Sequence, residues 1–479
     1  MQFLHAEDEG KEVTYEDAFL VPQYSEVLSR MDVDVTPPDN TGATIPIVVA
    51  NMTSAAGKRM AETVTRRGGL VMLTQDTPLE RIQEIVTYLK TRHPIFETPV
   101  VLEETESIQT ALNLIHKRSH GGIIIVDKDN KPVGIFTETD ARGKDRFTPL
   151  RNVMATDIIS SSESTTPEEA FNKLHQSHVS ILPIIKNSGE LLGVMTKKGA
   201  IRSKIYKPAL NKKGGFITAV AMGISNGTEE RAKALMDMGI DIFMVDTAHG
   251  HSKRLIDAVK TVRQTIGKDK IIYAGTVVTA KGVEDLLNAG ADIIKVGIGS
   301  GGSCTTRVMT GNGRPQLSAT IECAREARKM GAHIWADAGI RQPRDLALAI
   351  AAGAASTMFA TIFVGTHESP GDIQRDENGN LYKVNFGMAS NRAVRERFKG
   401  QNPFDLAMRQ YFEEGINEGK IYLKEGSTGV EDIIDRLMAG LRSAMSYAGA
   451  RTLNELHEKA IIGIQTSAAF REGEAIFER

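Results

Sequence analysis

Short apolar runs alternate with amphipathic stretches along much of the chain. IPIVVANMT and LVMLTQ flank the helical stretch SAAGKRMAETVTRRGG. From about Gly215 the runs FITAVAM, IDIFMVDTA, KIIYAGTV, DIIKVGIG and AHIWADAGI follow, each before a helical stretch that ends at a glycine. Short apolar strands that alternate with amphipathic helices predict a parallel sheet. Their number favours closure into an α/β fold of the (β/α)8 type, the TIM barrel, over an open sheet.

Polar or glycine-rich segments come directly after several of these strands. They read DTAHGHS, GTVVT, GIGSGGSCTTR and DAGIRQ. In a barrel of this kind, active sites lie in the loops that follow the C-terminal ends of the strands. We therefore expect the four segments to converge on one mouth of the barrel.

The sequence between the two parts of the predicted barrel repeats itself. GIIIVDKDNKPVGIFTETDA, from Gly122, matches ILPIIKNSGELLGVMTKKGA, from Ile181, and an amphipathic helix precedes each copy. Internal duplication of this kind predicts a tandem module. We predict that residues 1–95 and 207–479 form the barrel and that residues 96–206 form an inserted pair of modules. A purely structural spacer is the alternative interpretation.

The composition excludes several classes of protein. The 58 Lys and Arg residues nearly balance the 60 Asp and Glu residues, so the chain has no broad positive field for nucleic acid. With only Cys304 and Cys323, neither a disulfide framework nor a zinc site made of cysteines alone can form. The beginning of the chain lacks a secretory pattern, and no apolar run approaches the roughly 18 residues of a membrane span. We expect a cytoplasmic protein that contacts no membrane.

The segment GIGSGGSCTTR, from Gly297 to Arg307, carries the clearest chemical pattern. Its small residues allow the backbone to approach a ligand or an ion closely. Cys304 follows them on the same loop, which is typical of a nucleophile held over a barrel mouth. Cys323 lies in the predicted helix TIECAREARKM, where a cysteine is usually a small buried hydrophobic residue.

This loop resembles the active-site loop of the IMP dehydrogenase/GMP reductase family. VDTAHGHS, AGTVVT, DAGI, ESPG and FGM extend the resemblance over nearly the whole chain. The resemblance implies that Cys304 attacks C2 of a 6-oxopurine ribonucleotide and that the adduct exchanges a hydride with a nicotinamide cofactor. It implies that Thr306 assists the proton transfers. It also implies a potassium ion bound by backbone carbonyls of Gly299, Gly301 and Cys304.

The same resemblance assigns the contacts of the two nucleotides. Asp337 is expected to hold the ribose hydroxyls of the substrate, and the backbone around Gly339 is expected to face the phosphate. Further substrate contacts are implied for Thr361, Gly387, Met388 and Ala389, and cofactor contacts are implied for Asp246, Thr247 and Ala248. Two structural alternatives stay open, in which Asp337 caps the following helix and Asp246 is a structural residue at a strand end.

The inserted modules resemble a pair of CBS domains, which often bind adenine or guanine nucleotides. In the first copy, Thr137 and Asp140 occupy the positions that hold the ribose of such a nucleotide. The second copy has Thr196 but carries Gly199 in place of the aspartate. We therefore expect one regulatory nucleotide. The family resemblance also implies a homotetramer or an octamer.

The chain departs from both branches of the family. Dehydrogenases use an Arg-Tyr pair on a flap to activate water, but Gln410 precedes Tyr411 here, and glutamine cannot act as that base. Phe386 before Gly387 is typical of reductases. Asn391 stands where common reductases have a glutamate, and we expect Glu425 in KEGSTG to supply the missing proton function.

These features favour a GMP reductase that uses NADPH to convert GMP to IMP and ammonia. The chain resembles most a CBS-containing subgroup of the family with this activity. An NAD-dependent IMP dehydrogenase is the alternative. A non-catalytic nucleotide sensor is a third hypothesis, although Cys304, Thr306 and Asp337 are all present.

Overall fold

Eight parallel strands form the centre of the protein. The computed structural model describes residues 1–224, 227–302, 304–398, 402–411, 416, 418–424 and 428–473. The strands are β1 (Ile47–Val49), β2 (Leu70–Leu73), β3 (Ala219–Met222), β4 (Ile242–Asp246), β5 (Ile271–Val277), β6 (Ile293–Val296), β7 (His333–Asp337) and β8 (Ser356–Phe359). Each pairs with the next in the series, and β8 pairs with β1, so the sheet is closed. The predicted (β/α)8 barrel is confirmed.

A helix follows each barrel strand in the chain and packs against the outside of the barrel. These helices are α1 (Lys58–Arg66), α2 (Leu79–Lys90), α3 (Thr228–Asp237), α4 (Lys253–Ile266), α5 (Ala280–Asn288), α6 (Gln316–Lys329), α7 (Pro343–Ala351) and α8 (Val430–Tyr447). Their apolar faces and the outward side chains of the strands form one continuous core. Burial of both faces explains why the strands read as unbroken apolar runs.

A second core fills the inside of the barrel. Successive residues of a strand point to opposite faces of the sheet. In β1, Val48 therefore belongs to the interior cluster, whereas Ile47 and Val49 belong to the layer under the helices. Tyr273 and Trp335 pack in the interior with their ring centroids 4.4 Å apart. Because this interior is filled, a ligand site has to lie at the strand ends.

The segment between β2 and β3 folds as two units with the same topology. Each unit has a strand, a helix, a second strand parallel to the first and a third strand antiparallel to the second. The first unit consists of Val100–Glu103, Ile108–Ile115, Gly122–Val126 and Pro132–Thr137, and the second of Ser161–Ser162, Pro167–Gln176, Ile181–Ile185 and Leu191–Thr196. Apolar side chains of both units pack together in one small cluster. The repeated sequence thus corresponds to a repeated fold.

Buried ion pairs join these units to the barrel. We call Glu62, Arg66, Arg67, Glu97, Arg118 and Glu431 the junction cluster. Arg67, at the end of α1, pairs with Glu97 of the inserted segment and with Glu431 of α8, each at 2.5 Å. Glu62 of α1 pairs with Arg66 of the same helix and with Arg118 of the first unit. Buried charges are tolerated when they are paired in this way.

The remaining elements lie around the barrel. The segment between β8 and α8 contains an antiparallel sheet of Gln374–Arg375, Leu381–Asn385 and Gly419–Tyr422, and both ends of the chain contribute a sheet of Gln2–Phe3, Ala18–Leu20 and Ile461–Ile464. The remaining α-helices of the described residues are Lys197–Ile205, Thr306–Thr310, Thr361–Val364, Asn391–Arg397, Pro403–Tyr411, Leu453–Lys459 and Ser467–Glu472. Within the described ranges, no helix is both long and apolar enough to cross a lipid bilayer.

Candidate active site

The loop after β6 presents an exposed thiol beside a hydroxyl group. The Sγ atom of Cys304 donates a hydrogen bond to Oγ1 of Thr306 at 3.2 Å. Thr306 is the first residue of a short helix, and the backbone N–H of Cys304 donates to the carbonyl of Gly301 at 3.0 Å. The two residues predicted to do the chemistry are therefore in contact. Cys323, by contrast, is buried on α6.

Glycine is required where this loop begins. Gly297 has a φ of +144°, and a Cβ atom there would lie 2.2 Å from the carbonyl oxygen of Asp337. Gly299 has a φ of +79°, and a Cβ atom there would lie 2.2 Å from Cγ of Arg307. Only a residue without a side chain permits this conformation and these approaches. The cysteine loop is thus packed directly against the end of β7.

Gln316, at the start of α6, holds the cysteine loop to the end of β6. Its side-chain amide donates to the carbonyl of Val296 at 2.8 Å and accepts a hydrogen bond from the hydroxyl of Ser300 at 2.9 Å. The sequence analysis missed this residue. A polar residue at the start of the helix that follows the glycine-rich loop was the available sequence signal.

Two acidic side chains meet around one lysine at the barrel mouth. Asp246 ends β4, Asp337 ends β7, and Lys295 lies in β6 between them. The ammonium of Lys295 is 3.1 and 3.2 Å from the two oxygens of Asp246 and 3.1 Å from Oδ2 of Asp337. Asn51 donates to Oδ2 of Asp246 at 3.0 Å. We call these four residues the mouth cluster.

Burial and charge have opposite effects in the mouth cluster. Burial disfavours the charged form of Lys295, but Asp246 and Asp337 outweigh it and raise the pKa of the ammonium. Burial raises the pKa of the Asp337 carboxyl, although Lys295 acts in the opposite direction. The sequence analysis found both aspartates but missed Lys295 and Asn51. A lysine inside the apolar strand IIKV was the available signal for the first of these.

Asp337 does not cap the helix that follows it. The helix α7 has Gln342 as its N-cap residue, and Asp345 accepts hydrogen bonds from the N–H groups of Arg341 and Gln342 at 2.9 Å each. The capping alternative for Asp337 is therefore wrong. The chain leaves β7 through Ala338 and Gly339, both in the left-handed region with φ of +70° and +79°.

Other predicted substrate residues lie close to this turn. A Cβ atom on Gly301 would lie 3.4 Å from Cβ of Ala338, and one on Gly302 would lie 3.8 Å from Oγ1 of Thr361. Thr361 lies two residues after the end of β8 and is half-buried. The cysteine loop, the turn after β7 and Thr361 thus meet at one place.

Residues 387–389 lie over the ends of β1 and β2. The guanidinium of Arg397 donates to the carbonyl of Met388 at 3.1 Å and to Oδ1 of Asp76 at 2.6 Å. Oγ1 of Thr53 lies 3.9 Å from Sδ of Met388. Gly387 is buried, whereas Ala389 is exposed. The sequence analysis did not identify Arg397, which ties this segment to the barrel.

The predicted cofactor residues follow β4. The N–H of Thr247 donates to the carbonyl of Gly275 at 3.0 Å, and the N–H of Thr276 donates to the carbonyl of Thr247 at 3.2 Å. Ala248 is exposed. The structure therefore keeps Asp246, Thr247 and Ala248 together at the mouth, beside the end of β5.

The flap positions show a different environment from that of a catalytic base. The guanidinium of Arg409 lies over the ring of Phe398, 4.3 Å from its centroid, as in a cation–π contact. The side-chain amide of Gln410 donates to the carbonyl of Asn391 at 3.1 Å. Glu425, predicted to supply a proton, lies outside the described residues.

In the first inserted unit, Asp140 contacts Thr137. Its Oδ2 atom accepts hydrogen bonds from the N–H and the hydroxyl of Thr137, at 2.7 and 2.8 Å, and so caps a single helical turn. In the second unit, Thr196 caps its helix through the N–H of Gly199 at 2.9 Å. A Cβ atom on Gly199 would lie 2.5 Å from Oε1 of Glu97, so an aspartate would not fit there.

Comparisons with known proteins agree with this geometry. A family model described as IMP dehydrogenase / GMP reductase domain matches residues 12–475. GMP reductase from Mycobacterium bovis is 46% identical over 473 residues, which cover 99% of this chain and 98% of that protein. Inosine-5'-monophosphate dehydrogenase from Nitrosopumilus maritimus is 34% identical over 466 residues, which cover 96% of this chain and 97% of that protein.

A solved structure is similar over the full length. It is a cysteine-to-alanine variant of GMP reductase from Trypanosoma brucei in complex with guanosine 5'-monophosphate, with a TM-score of 0.68, 29% identity and 100% of both chains covered. Family model, relatives and fold all lead to the same assignment. The chain belongs to the IMP dehydrogenase/GMP reductase family, as the sequence analysis predicted.

Proposed function

We propose that the protein is a GMP reductase, which converts GMP, NADPH and a proton to IMP, NADP+ and ammonia. The observation that carries this proposal is the contact between the Cys304 thiol and the Thr306 hydroxyl at the barrel mouth. The 46% identity to a GMP reductase over 99% of the chain supports the direction of the reaction.

Cys304 acts as the nucleophile. Its thiolate adds to C2 of GMP, the exocyclic amino group leaves as ammonia after protonation, and a hydride then enters at C2 as the bond to sulfur breaks. Thr306 accepts the hydrogen bond of the thiol and is placed to relay the proton. We propose Glu425 as the donor that replaces the glutamate absent at position 391.

The nucleotide is held by the residues around the turn after β7. Asp337 accepts hydrogen bonds from the ribose hydroxyls, and the raised pKa of its carboxyl fits a buried group that contacts Lys295 and takes further partners from the ligand. Thr361 and the backbone around Gly339 bind the phosphate in this proposal. The purine is covered by Gly387, Met388 and Ala389, which Arg397 fixes over the barrel.

The nicotinamide cofactor, for which we propose NADPH, supplies the hydride. Asp246, Thr247 and Ala248 fit this role because they lie together at the end of β4, on the same mouth as Cys304. For a potassium ion, the carbonyls of Gly299, Gly301 and Cys304 provide the oxygen donors that such a cation prefers.

The surroundings of the flap support a reductase over a dehydrogenase. Glutamine at position 410 cannot act as the base that activates water, and its amide contacts the carbonyl of Asn391. The neighbouring Arg409 is one residue out of register with the arginine of the Arg-Tyr pair, and its guanidinium lies against the ring of Phe398.

We also propose that the inserted units are a CBS pair that binds one adenine or guanine nucleotide at Thr137 and Asp140. The first unit contacts the loop that precedes the small antiparallel sheet, through the ion pair of Lys117 with Asp372 and through His367, whose Nδ1 lies 2.9 Å from the carbonyl of His116. That sheet leads directly to residues 387–389. Binding in the first unit thereby has a physical route to the substrate site.

The family suggests an oligomeric state and a cellular location for the protein. We propose a homotetramer, or an octamer formed through the CBS pairs, that works in the cytoplasm. Sedimentation of the purified protein, with and without added ATP or GTP, tests the assembly. A monomer under all these conditions would contradict it.

The test of the activity uses absorbance at the nicotinamide band with potassium present. We expect a fall with GMP plus NADPH and no change with IMP plus NAD+, and we expect Cys304→Ala to abolish the signal. A rise with IMP and NAD+ alone would instead establish a dehydrogenase. GMP binding without turnover and without protection of Cys304 from alkylation would indicate a sensor.

A further inference from the structure

One buried ammonium group connects the two predicted ligand sites. Lys295 lies on β6, and its side chain is 8% exposed. It contacts Asp246, on the predicted cofactor side, and Asp337, on the predicted substrate side, at nearly equal distances of 3.1–3.2 Å. The two aspartates come from β4 and β7, which do not pair with each other. Within the described part of the chain, only Lys295 forms hydrogen bonds or ion pairs with both of them.

We propose that Lys295 is a positioning residue that fixes Asp246 and Asp337 relative to each other and thereby couples the binding of GMP to the binding of the nicotinamide cofactor. This inference rests on the proposed function. Lys295 does not touch the reacting atoms in this scheme. It acts through the two carboxylates that hold the riboses.

The local packing is built around this side chain. Gly275 of β5 faces the stem of Lys295, and a Cβ atom on Gly275 would lie 2.5 Å from Cβ of Lys295. The absence of a side chain at position 275 is what leaves room for the lysine. Asn51 adds a further hydrogen bond to Asp246, so both oxygens of that carboxylate have a contact.

The charges explain why an ammonium is needed here. Two carboxylates that face each other in a partly dry site repel, and without a cation one of them takes up a proton. A protonated aspartate offers fewer acceptor sites for ribose hydroxyls. Contact with Asp337 uses only Oδ2, whereas Asp246 is contacted through both oxygens. A ribose that binds Asp337 therefore shifts the position of the Lys295 ammonium. Because the same ammonium orients Asp246, the shift also reaches the cofactor side.

The test uses the full-length protein and the variants Lys295→Met, Lys295→Arg and Asp246→Asn. We expect Lys295→Met to raise the KM for GMP and the KM for NADPH, each by about tenfold or more, as for loss of a hydrogen bond to a charged group. Lys295→Arg keeps the cation and should stay closer to the parent protein. Asp246→Asn should raise mainly the KM for NADPH.

A binding measurement separates positioning from a merely structural role. Protection of Cys304 from iodoacetamide gives the affinity for GMP, with and without NADP+. In the parent protein we expect the affinity for GMP measured with NADP+ to differ from the affinity measured without it. In Lys295→Met we expect the ratio of these two affinities to approach one. A folded Lys295→Met variant with both KM values and this ratio within about twofold of the parent would overturn the proposal.

A double variant keeps the test decisive if Lys295→Met does not fold. Lys295→Met/Asp246→Asn removes the cation together with one anion, and emission of Trp335, the single tryptophan, reports its folding. We expect its KM for NADPH to equal that of Asp246→Asn and its KM for GMP to be higher. Equal KM values for GMP in these two variants would overturn the proposal.

The experiment gives a different result if the proposed function, rather than the role of Lys295, is wrong. In that case the parent protein does not oxidise NADPH with GMP. The protection assay still measures GMP binding and its dependence on Lys295.

Discussion

The mouth cluster and the junction cluster both contain buried charges, but the pKa values of their carboxylates are shifted in opposite directions. At the junction, Glu62 accepts hydrogen bonds from Arg66 and Thr98 on one oxygen and from Tyr88 and Arg118 on the other. Burial alone would raise its pKa, but Arg118 and Arg66 outweigh burial and lower the pKa well below its usual value.

At the mouth, the pKa of Asp337 is raised instead. Burial is again the largest influence, but there a single ammonium serves two carboxylates. We propose that the same residue types serve structure in one region and ligand binding in the other. A carboxylate with all its partners inside the protein holds the barrel and an inserted unit together, whereas one with fewer partners can take further ones from a ligand.

The largest expected effect is on catalysis at the mouth. Cys304→Ala should reduce turnover of GMP by about a thousandfold or more, because no other group supplies the covalent adduct. The unfolding midpoint should change little, since Cys304 is exposed. NADPH consumption and denaturant unfolding check both parts. Cys323→Ala is the matched control and should keep its activity, and equal loss in both variants would contradict the assignment.

A substitution in the junction cluster should lower stability and leave turnover nearly unchanged. Glu62→Gln leaves Arg66 and Arg118 buried without their anion and should lower the free energy of unfolding by about 3–5 kcal/mol. Turnover of the folded fraction should be nearly unchanged. Denaturant unfolding followed by circular dichroism measures the change. Glu80→Gln, at an exposed position of α2, is the control, and a stability loss no larger than that of the control would contradict the role of the junction.

Acid should weaken the junction before it affects the barrel interior. Burial by itself would raise the pKa of Glu97, but its contacts with His120 and Arg67 outweigh burial and lower the pKa to about 2. A lowered folded-state pKa gives stability that is present above the ordinary value of 4.5 and is lost as the pH falls towards 2. The free energy of unfolding should therefore fall between pH 6 and pH 3, by at most about 3 kcal/mol from this group.

The variant Glu97→Gln tests the origin of this pH dependence. It should be less stable than the parent at neutral pH and should lose less stability on acidification. Parallel pH profiles in the two proteins would show that Glu97 does not carry the effect.

The smallest expected effect concerns the segment over the substrate. Arg397→Met removes the charged hydrogen bond to the carbonyl of Met388 and should raise the KM for GMP by about tenfold, with a small change in kcat. Steady-state kinetics at saturating NADPH measure it. Arg395→Met, on the exposed face of the same helix, is the control. A lowered kcat with an unchanged KM would contradict a role in substrate binding.

Much of the site could be predicted because it is local in the sequence. Cys304 and Thr306 are two residues apart, and their loop follows an apolar strand, so the chain itself places the thiol beside the hydroxyl. Asp246 and Asp337 each end a strand. The C-terminal ends of all strands of a (β/α)8 barrel lie at one mouth, so the fold class alone brings these two residues there. The capping alternative for Asp337 could be decided only by the observed turn, because Asp345 lies close enough in sequence to compete for the same role.

The residues that sequence reasoning missed share a different property. Arg118 contacts Glu62, which lies 56 residues away in the sequence, and Arg397 contacts Asp76, which lies 321 residues away. A single arginine or lysine in a sequence gives no sign of its partner, because surface cations are common and usually solvated. Only the burial observed in the fold shows that these charges need partners.

The sequence alone determined the order of strands and helices, the duplication in the inserted segment and the family, and it indicated the candidate nucleophile. These follow from periodicity and from short motifs, which act over a few residues. The tertiary structure decided which charges face each other, above all at Lys295. Closure of the barrel brings the ends of β4, β6 and β7 within reach of one ammonium group, and no local pattern encodes that meeting.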